Sequence, residues 1–457
     1  MSDAKLLFVG IKDNTMDLAI AAGQNDSLIE QLSFSLPAVA TYARERRLVQ
    51  VMPQGANTFA PNGNQVLTFN LTSQDGWLDP SSLRLHFRIR NSTPPSALAD
   101  AAAAAAANNL NNLRAASGCH CFFSQLRILI GGTEVERIEP YNMLHELFRV
   151  ALNTPQSQVE QGVEDGRHTF NPDAYPAVVP INIAVGAYLS VTLTPLAGLL
   201  QCGKYLPLRL MNSMILEFTL ARTDDALAPA AVAAGVGNNS RDFELQQCEL
   251  QFSTVRLDSA LEAGFSSMML SGRALQLNLR TIMSQQAIIP QNAQEFQATV
   301  VRALSRIAAV FVTFQGRDAQ TNSILRFHNP SAVVNHERLL EWSVQIGSKQ
   351  WPEMSTCKSQ ASTMSLLKQA LGIYDQNIAC TCINPLNYGG TRYVIGVPTS
   401  TIPGQVFSGI STRSGDLLSV LIKSMGVAAN EQAQKLHISM VAEVILELKE
   451  SGTVLLE

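Results

Sequence analysis

The sequence predicts an all-β protein made of two β-sandwiches in tandem, and two observations support this prediction. Apolar and polar residues alternate in many short runs, as in strands with one face in a core and one face in solvent. A strand, a glycine turn and a helix follow one another twice, roughly half a chain apart. At 457 residues and 46% hydrophobic content, the chain can supply a core for each half.

The first copy of this strand, turn and helix unit spans residues 126–151. Residues 126–130 carry apolar side chains at alternate positions, which predicts a strand. Gly131-Gly132 follows as a turn signal. After Pro140 the apolar spacing becomes helical, and proline suits a first helical position because its φ is already fixed. The unit therefore reads as a strand and a turn that lead into an amphipathic helix.

The second copy spans residues 342–372 and repeats the same order. Residues 342–346 alternate as a strand, and Gly347 turns the chain. An apolar stripe at residues 364–371 predicts a helix that ends at Gly372, since glycine suits the left-handed conformation of a helix C-terminus. Two copies of one unit indicate an internal duplication.

The rest of the chain is divided by composition. Residues 1–48 combine leucines at helical spacing with an arginine cluster, and we predict an N-terminal arm outside the main fold. Alternating strands predict a first sandwich at residues 49–255, interrupted by an alanine-rich insert at residues 94–118. That insert has few large apolar side chains, so we expect it at the surface. Residues 256–270 alternate little and predict a linker, and residues 271–457 predict a second sandwich.

Charge and hydropathy exclude several classes of function. With 33 basic and 37 acidic residues and a formal net charge of −4, the chain offers no broad basic surface for nucleic acid. Only 15% of its residues are charged, which favours contacts with other protein. The first ten residues include Asp3 and lack a long apolar run, so we expect no signal peptide and synthesis in the cytosol. No uncharged apolar run approaches the roughly 20 residues that cross a bilayer.

The seven cysteines include two Cys-x-Cys pairs, Cys119/Cys121 and Cys380/Cys382. An odd total without a regular framework argues against a secreted disulfide scaffold, so we expect reduced, buried thiols. Cys119-His120-Cys121 offers soft metal ligands. Adjacent ligands without a second cluster make a poor tetrahedral site, and we expect no metal there.

Two His-Glu pairs, His145-Glu146 and His336-Glu337, are the nearest approach to a zinc-protease helix motif. Neither pair is followed by a second histidine one turn later, so we expect ordinary structural residues. Phosphate-binding loops of the Walker type and nucleophile elbows are also missing from the sequence. We therefore predict no catalytic, cofactor-binding or metal-binding residues, and no enzyme.

Two further polar groups have an ordinary structural explanation. Asp224-Asp225 is an acidic pair in a predicted loop, where turns select aspartate for its hydrogen bonds to the backbone. His86 lies between Arg84 and Arg88 on the polar side of an alternating run, and this arrangement could serve as an anion site. A solvated strand face explains the same pattern, and we favour it.

Residues 130–148, Ile-Gly-Gly-Thr-Glu-Val-Glu-Arg-Ile-Glu-Pro-Tyr-Asn-Met-Leu-His-Glu-Leu-Phe, resemble the strand, glycine turn and helix of the first barrel in double jelly-roll major capsid proteins of DNA viruses. This family includes those of virophages and polinton-like viruses. Residues 304–314, 345–353 and 436–448 are similar to matching segments of the second barrel. The resemblance covers the chain from about residue 49 to the C-terminus.

The resemblance implies two tandem jelly rolls with short helices in their connections. It also implies a homotrimer of nearly hexagonal outline that builds an icosahedral shell, so the chain would be made in the host cytoplasm and reside in the virion. The implied partners are the chain itself, neighbouring capsomers, penton and minor capsid proteins and, as an open possibility, an internal membrane. Neither a cofactor nor a specific nucleic acid is implied.

Two other classes of function remain open at this point. A viral spike or fibre-like β-sandwich protein that binds glycans would share the all-β pattern and synthesis in the cytosol. A glycan-releasing enzyme with two jelly rolls would be expected to show clustered carboxylates and aromatic sugar platforms, whereas this chain has only 3 tryptophans. The mass of the native particle separates a shell-forming trimer from a monomer with glycan affinity.

Overall fold

The computed structural model describes residues 43–71, 76–97, 111–152, 161–166, 181–211, 213–228, 239–317, 326–334, 337–353, 356–373, 383, 388–402, 405–413, 415–429, 431–449 and 452–456. The chain divides into two compact units, residues 1–42 and 43–457, and all described residues belong to the second. Most of the predicted arm and the central part of the alanine-rich insert therefore lie outside the described residues.

The strands of the first half run in chain order as β1 Ala43–Val51, β2 Thr58–Phe59, β3 Val66–Asn70, β4 Trp77–Asn91, β5 Leu113–Arg114, β6 Phe123–Ile130, β7 Thr133–Ile138, β8 Asn182–Ile183, β9 Tyr188–Leu193, β10 Leu206–Pro207, β11 Met214–Leu220 and β12 Phe243–Leu257. Those of the second half are β13 Leu275–Ile288, β14 Phe296–Val300, β15 Ile307–Gly316, β16 Ala332–Val334, β17 Glu337–Leu339, β18 Glu341–Ile346, β19 Lys349–Trp351, β20 Val394–Pro398, β21 Leu418–Lys423, β22 Ala433–Lys449 and β23 Gly452–Leu456. The α-helices are α1 Tyr141–Leu152, α2 Thr223–Ala226, α3 Ser259–Leu270 and α4 Gln360–Ala370.

Both halves have the same antiparallel strand order. In the first half, β1-β12-β4 form one sheet, with β9 and β10 on the far side of β4, and β3-β11-β6-β7 form the other. In the second half, β13-β22-β15-β20 and β14-β21-β18-β19 repeat this order. In each half a four-stranded sheet faces a larger antiparallel sheet, of six strands in the first half and five in the second. Sheets connected in this way make a jelly roll, so the prediction of two tandem jelly-roll sandwiches is confirmed.

The alternating runs in the sequence become the inner faces of these sheets. In β11, Met214, Leu216, Phe218 and Leu220 are buried, while the residues between them are partly exposed. The two sheets of the first sandwich meet through aromatic edges, and the rings of Phe87 and Phe123 pack edge to face with centroids 5.4 Å apart. Burial of each such side chain stabilises the fold by roughly 1.5–3 kcal/mol, which is why this pattern specifies a sandwich core.

The duplicated unit takes corresponding places in the two strand orders. The hairpin β6–β7 turns at Gly131-Gly132, and the hairpin β18–β19 turns at Gly347; all three glycines have positive φ. A cis prolyl bond follows each hairpin, and then α1 or α4. Gly372 ends α4 with a φ of +74°, as its sequence position predicts. Among the described residues, no helix is long and apolar enough to cross a membrane.

Three segments differ from the sequence-based division. Residues 43–48, predicted as part of the arm, form the first part of β1, which alternation missed because most of this strand is exposed. The predicted linker contains α3, whose N-terminus is capped by the Asp258 carboxylate accepting a hydrogen bond from the Ala260 backbone N–H. Residues 111–118, predicted as surface insert, include the buried Leu113, because β5 pairs with β8 over the core.

Candidate functional site at the junction of the two sandwiches

The most informative site is the buried junction between the two sandwiches. Helix α1 of the first sandwich lies against the outer face of β15 and β22 in the second. The rings of Phe148 on α1 and Phe311 on β15 meet edge to face with centroids 5.4 Å apart. The Thr313 hydroxyl, on the same strand, lies 4.0 Å from the Met143 sulfur. The helix of the duplicated unit therefore joins the two halves of the chain.

Glu146, on α1, places a buried carboxylate at this junction. The Arg392 guanidinium, from the second sandwich, donates to it over 2.7 Å. The Arg149 guanidinium, one turn along α1, donates over 2.9 Å, and the Ser117 hydroxyl over 3.1 Å. The His120 Nε2 atom lies 3.0 Å from the same carboxylate. One carboxylate thus holds groups from both sandwiches, and a buried ion pair of this kind is costly to break from either side.

A pair of histidine rings lies beside this carboxylate. The rings of His120 and His145 stack with centroids 4.5 Å apart, and the His145 Nε2 atom lies 3.2 Å from the Thr194 carbonyl oxygen. Desolvation lowers the pKa of His145 well below its usual range, and the proximity of His120 acts in the same direction. The His145 ring is therefore neutral near pH 7, which is compatible with close stacking.

Glu136, on β7, makes a second polar contact across the junction. Its carboxylate accepts hydrogen bonds from the backbone N–H groups of Gly198, over 2.8 Å, and Leu199, over 3.1 Å. It also has a side-chain hydrogen bond with Thr281 on β13 of the second sandwich. Burial is the largest influence and raises the pKa of Glu136 to about 6, although these three hydrogen bonds act against it.

Gly198 allows the loop before residues 199–201 to approach the second sandwich closely. A Cβ atom at this position would lie 2.0 Å from the Arg280 carbonyl oxygen on β13. The φ of Gly198 is −64°, which any residue adopts, so glycine is required here for space and not for conformation. The close approach lets Glu136 bind the Gly198 backbone while β13 covers the same loop.

The counterparts of the junction surfaces are exposed. β1 corresponds to β13 in the strand order, yet it is exposed along most of its length, and Leu48 is 68% exposed. The outer face of β4 is polar and half-buried, with His86 and with Arg88 stacked on the Tyr188 ring at 4.8 Å. The outer surface of α4 is also polar, with Ser365 exposed. The surfaces that meet inside the chain thus have more exposed and more polar equivalents on the other sandwich.

The Cys-His-Cys motif forms a buried 3₁₀ turn at Cys119–Phe122. The Cys119 thiol faces the Thr192 carbonyl oxygen at 3.6 Å, and the Cys121 thiol faces the Ala226 carbonyl oxygen at 3.2 Å. Within the described part of the chain, no group of three or more His, Cys, Asp or Glu side chains is arranged to hold a metal ion. The two cysteines are buried in the first sandwich, and His120 between them lies beside the Glu146 carboxylate.

The other sequence candidates are dispersed. Asp224 and Asp225 lie in the first turn of the short helix α2, where Asp224 pairs with Arg241. Burial raises the pKa of Asp225. Cys380, Cys382, His336 and the Glu337 side chain lie outside the described residues.

In the sequence, His145-Glu146 stood out only as part of a metal motif, and the role of Glu146 as the centre of a polar network was missed. Glu136 and Arg392 gave no signal at all. Their partners lie far along the chain, so no local pattern could have found them. Each carboxylate is buried and hydrogen-bonded across the junction, Glu136 to Thr281 and Glu146 to Arg392, and the chemistry of the site is recognition between the two halves.

Comparisons with known proteins agree with this architecture. No protein-family model matches the chain, and no curated protein matches it. In structure, the chain is similar to the PBCV-1 virus capsid protein, with 11% identity, 93% of this chain and 99% of the other covered, and a TM-score of 0.61. It is also similar to a protein of the Sputnik virophage (11% identity, 94% and 92% covered, TM-score 0.55) and to the mavirus major capsid protein (10%, 94% and 93%, 0.51). The chain has the double jelly-roll fold of these proteins.

Proposed function

We propose that this double jelly-roll chain is the major capsid protein of a DNA virus, and that it trimerises into pseudo-hexagonal capsomers that build an icosahedral shell. The observation that carries the proposal is the pair of exposed or half-buried surfaces, one on each sandwich, that correspond to the two sides of the junction. The fold shared with viral capsid proteins over more than 90% of both chains supports it. No catalytic role is part of the proposal.

The junction inside the chain suggests how copies associate. It joins unlike surfaces: β7 and α1 of one sandwich lie against β13 and its sheet in the other. Contacts between unlike surfaces continue from copy to copy, and they form a ring if the rotation closes. In our proposal, β19 and α4 of one chain lie against β1 and the outer face of β4 in the next chain. Three chains then give a ring of six sandwiches.

The composition of these surfaces agrees with that division. The junction inside the chain buries aromatic rings, as in Phe148 against Phe311. The outer faces of β4 and α4 are polar, with Arg88 half-buried on β4 and Ser365 exposed on α4. Permanent interfaces are more apolar than interfaces between partners that must also exist apart. An apolar junction inside the chain and polar faces outside it are expected for a chain that folds as a monomer and then associates with other copies.

We further propose a division of the chain for this function. The first jelly roll would span residues 43–257 and the second residues 275–457, joined through α3. The preceding arm would serve assembly, where it could contact neighbouring chains, penton and minor capsid proteins or an internal membrane. Synthesis in the host cytoplasm and residence in the virion belong to the same proposal.

The mass of the native protein tests the proposal directly. We expect a particle of three times the 49.5 kDa chain mass, in equilibrium with larger shells. Leu48→Asp places a charge in the middle of the exposed strand β1, and we expect it to give folded monomers. The matched control is Val301→Asp, at a position that is 79% exposed just after β14 and outside the proposed contact, and it should leave trimers intact.

Light scattering after size exclusion distinguishes the outcomes, and circular dichroism checks the fold of each variant. A wild-type protein that remains a monomer at high concentration would contradict the capsid proposal. If that monomer bound glycans, the spike or fibre-like alternative would take its place. Trimers of Leu48→Asp as stable as those of the wild type would show that β1 lies outside the interface.

A further inference from the structure

The second sandwich places a buried histidine at the junction. His437 lies on β22 and is 1% exposed. Its register partner on β15 is Thr313, which contacts Met143 of α1, so the imidazole shares the face that the first sandwich covers. Neither ring nitrogen has a hydrogen-bond partner among the described residues. A neutral ring tolerates this environment far better than a charged one.

The charge that acts on His437 is cationic, and the buried carboxylate of Glu146 at the same junction is already paired. Lys435, on the same strand, repels a positive charge on the ring. Arg392, beside the start of β20, is paired with Glu146 of α1, which also binds Arg149. On α2, Asp225 interacts with Lys435.

The two strands that flank β22 place uncharged side chains at this level. β13 contributes Gln286 in register with His437, and β15 contributes Thr313. Neither flanking strand therefore places a carboxylate in register with the imidazole.

We infer that His437 makes the junction between the two sandwiches sensitive to acid, because protonation of its buried imidazole beside Lys435 favours separation of α1 from the outer face of β15 and β22. An opened junction returns the ring to water, where it binds a proton readily. Acid would then weaken the contact between the two sandwiches in every chain. In a capsid this would loosen the shell, and that consequence alone depends on the proposed function.

The direction of the effect follows from linkage. Burial is the main cause that lowers the pKa of His437 from 6.5 to about 4. The stability that this group contributes is therefore fully present above pH 6.5 and is lost as the pH falls through 4. Between pH 7 and pH 5, a shift of this size raises the ratio of open to closed junction by about twentyfold. Glu136, whose pKa is raised, acts in the opposite direction, and His145, whose pKa is lowered, acts in the same direction, so the test must compare variants that share both groups.

Hydrogen exchange of the α1 backbone in the full chain measures the opening. After correction for the intrinsic pH dependence of exchange, the protection of residues 141–152 should fall between pH 7 and pH 5 about twentyfold more in the wild type than in His437→Gln. The control is His328→Gln, another buried histidine of the second sandwich, whose Nε2 lies 3.2 Å from the Glu431 carbonyl oxygen. It should respond to acid as the wild type does.

Equal pH responses of the wild type and His437→Gln would overturn the inference. A second measurement decides the question even if that variant does not fold. In the wild-type protein, the imidazole proton signals of His437 should titrate below pH 5 in the NMR spectrum, and titration at or above pH 6.5 would equally overturn it. Because the junction lies within one chain, these results do not depend on trimer formation, so failure of the capsid proposal would be recognised separately by particle mass.

Discussion

The two sandwiches have the same strand order but differ in what covers their corresponding surfaces. β13 of the second sandwich is approached by the loop at Gly198 and by β7 of the first, whereas its counterpart β1 is exposed. The outer face of β15 carries buried Phe311 and Thr313, whereas the corresponding face of β4 carries half-buried His86 and Arg88. A duplicated fold can therefore keep its topology while its surfaces diverge according to where the neighbour lies.

This comparison separates two kinds of mutation. Changes at the junction should lower the free energy of unfolding of the single chain. Changes at the corresponding exposed surfaces should leave it nearly unchanged and affect association between chains. Substitutions at both kinds of surface test whether stability and association are affected separately.

The largest effect is expected for Glu146→Leu. This change leaves the buried Arg149 and the half-buried Arg392 without their shared carboxylate. Removal of one partner from a buried ion pair costs about 3–5 kcal/mol because the other charge stays desolvated. Chemical denaturation measures the loss. The control is Glu134→Leu, which breaks an exposed pair with Arg127 and should cost less than about 1 kcal/mol.

A small loss for Glu146→Leu, comparable with that of the control, would mean that the network does not hold the sandwiches together. Covered polar groups at the junction would then contribute no more to the free energy of unfolding than the exposed polar groups on β4 and α4.

The next effect is expected for Gly198→Ala. The added methyl group would overlap the Arg280 carbonyl oxygen, and overpacking of this kind costs about 2–3 kcal/mol. Gly203→Ala is the control that isolates the contact. Gly203 has a φ of +67°, and a methyl group there would meet no described atom within 4 Å, so its cost of about 1 kcal/mol reflects the backbone alone. Thermal unfolding that ranks Gly203→Ala as the more damaging change would contradict the close approach at the junction.

The sandwiches could be predicted from the sequence because most strands have a local pattern of alternating apolar and polar residues. The alternation in β11 or β22 depends only on which side of a strand faces the core, and the two glycine turns mark the duplicated hairpins. The start of β1 was not predicted because this exposed edge strand has no fully buried face, and its sequence therefore does not alternate. The helix α3 was not predicted because its apolar side chains show little periodicity at the helical repeat.

The junction could not be predicted from the sequence for a different reason. Glu146 and Arg392 are separated by 246 residues, and Glu136 and Gly198 by 62. Glutamates on a helix or a strand usually face water, so a local pattern assigns both to the surface. Only the packing of one sandwich on the other turns them into buried groups, and that packing is set by the whole fold.

A pH dependence is expected from Glu136. Its pKa in the folded chain is about 6, above its ordinary 4.5, so the stability it contributes is complete below pH 4.5 and is lost as the pH rises through 6. A shift of this size is equivalent to about 2 kcal/mol. Glu136→Gln keeps an acceptor for the Gly198 N–H but does not titrate. The difference in unfolding free energy between the wild type and this variant should therefore change by about 2 kcal/mol between pH 4 and pH 7. A difference independent of pH would place Glu136 in contact with water.

The smallest effect is expected for Gly264→Ala in α3, the helix that connects the two sandwiches. A methyl group at this position would meet no described atom within 4 Å, and alanine is a better helix former than glycine by about 1 kcal/mol. The Asp258 side chain at the start of α3 pairs with Arg44 of β1, but Gly264 lies in the middle of the helix, so this variant should unfold at a slightly higher temperature while its particle mass stays unchanged. Calorimetry and light scattering on the same sample test both parts. A loss of trimers with an intact fold would reveal that α3 itself meets the neighbouring chain, and the contact between copies would then extend beyond the surfaces that the duplication identifies.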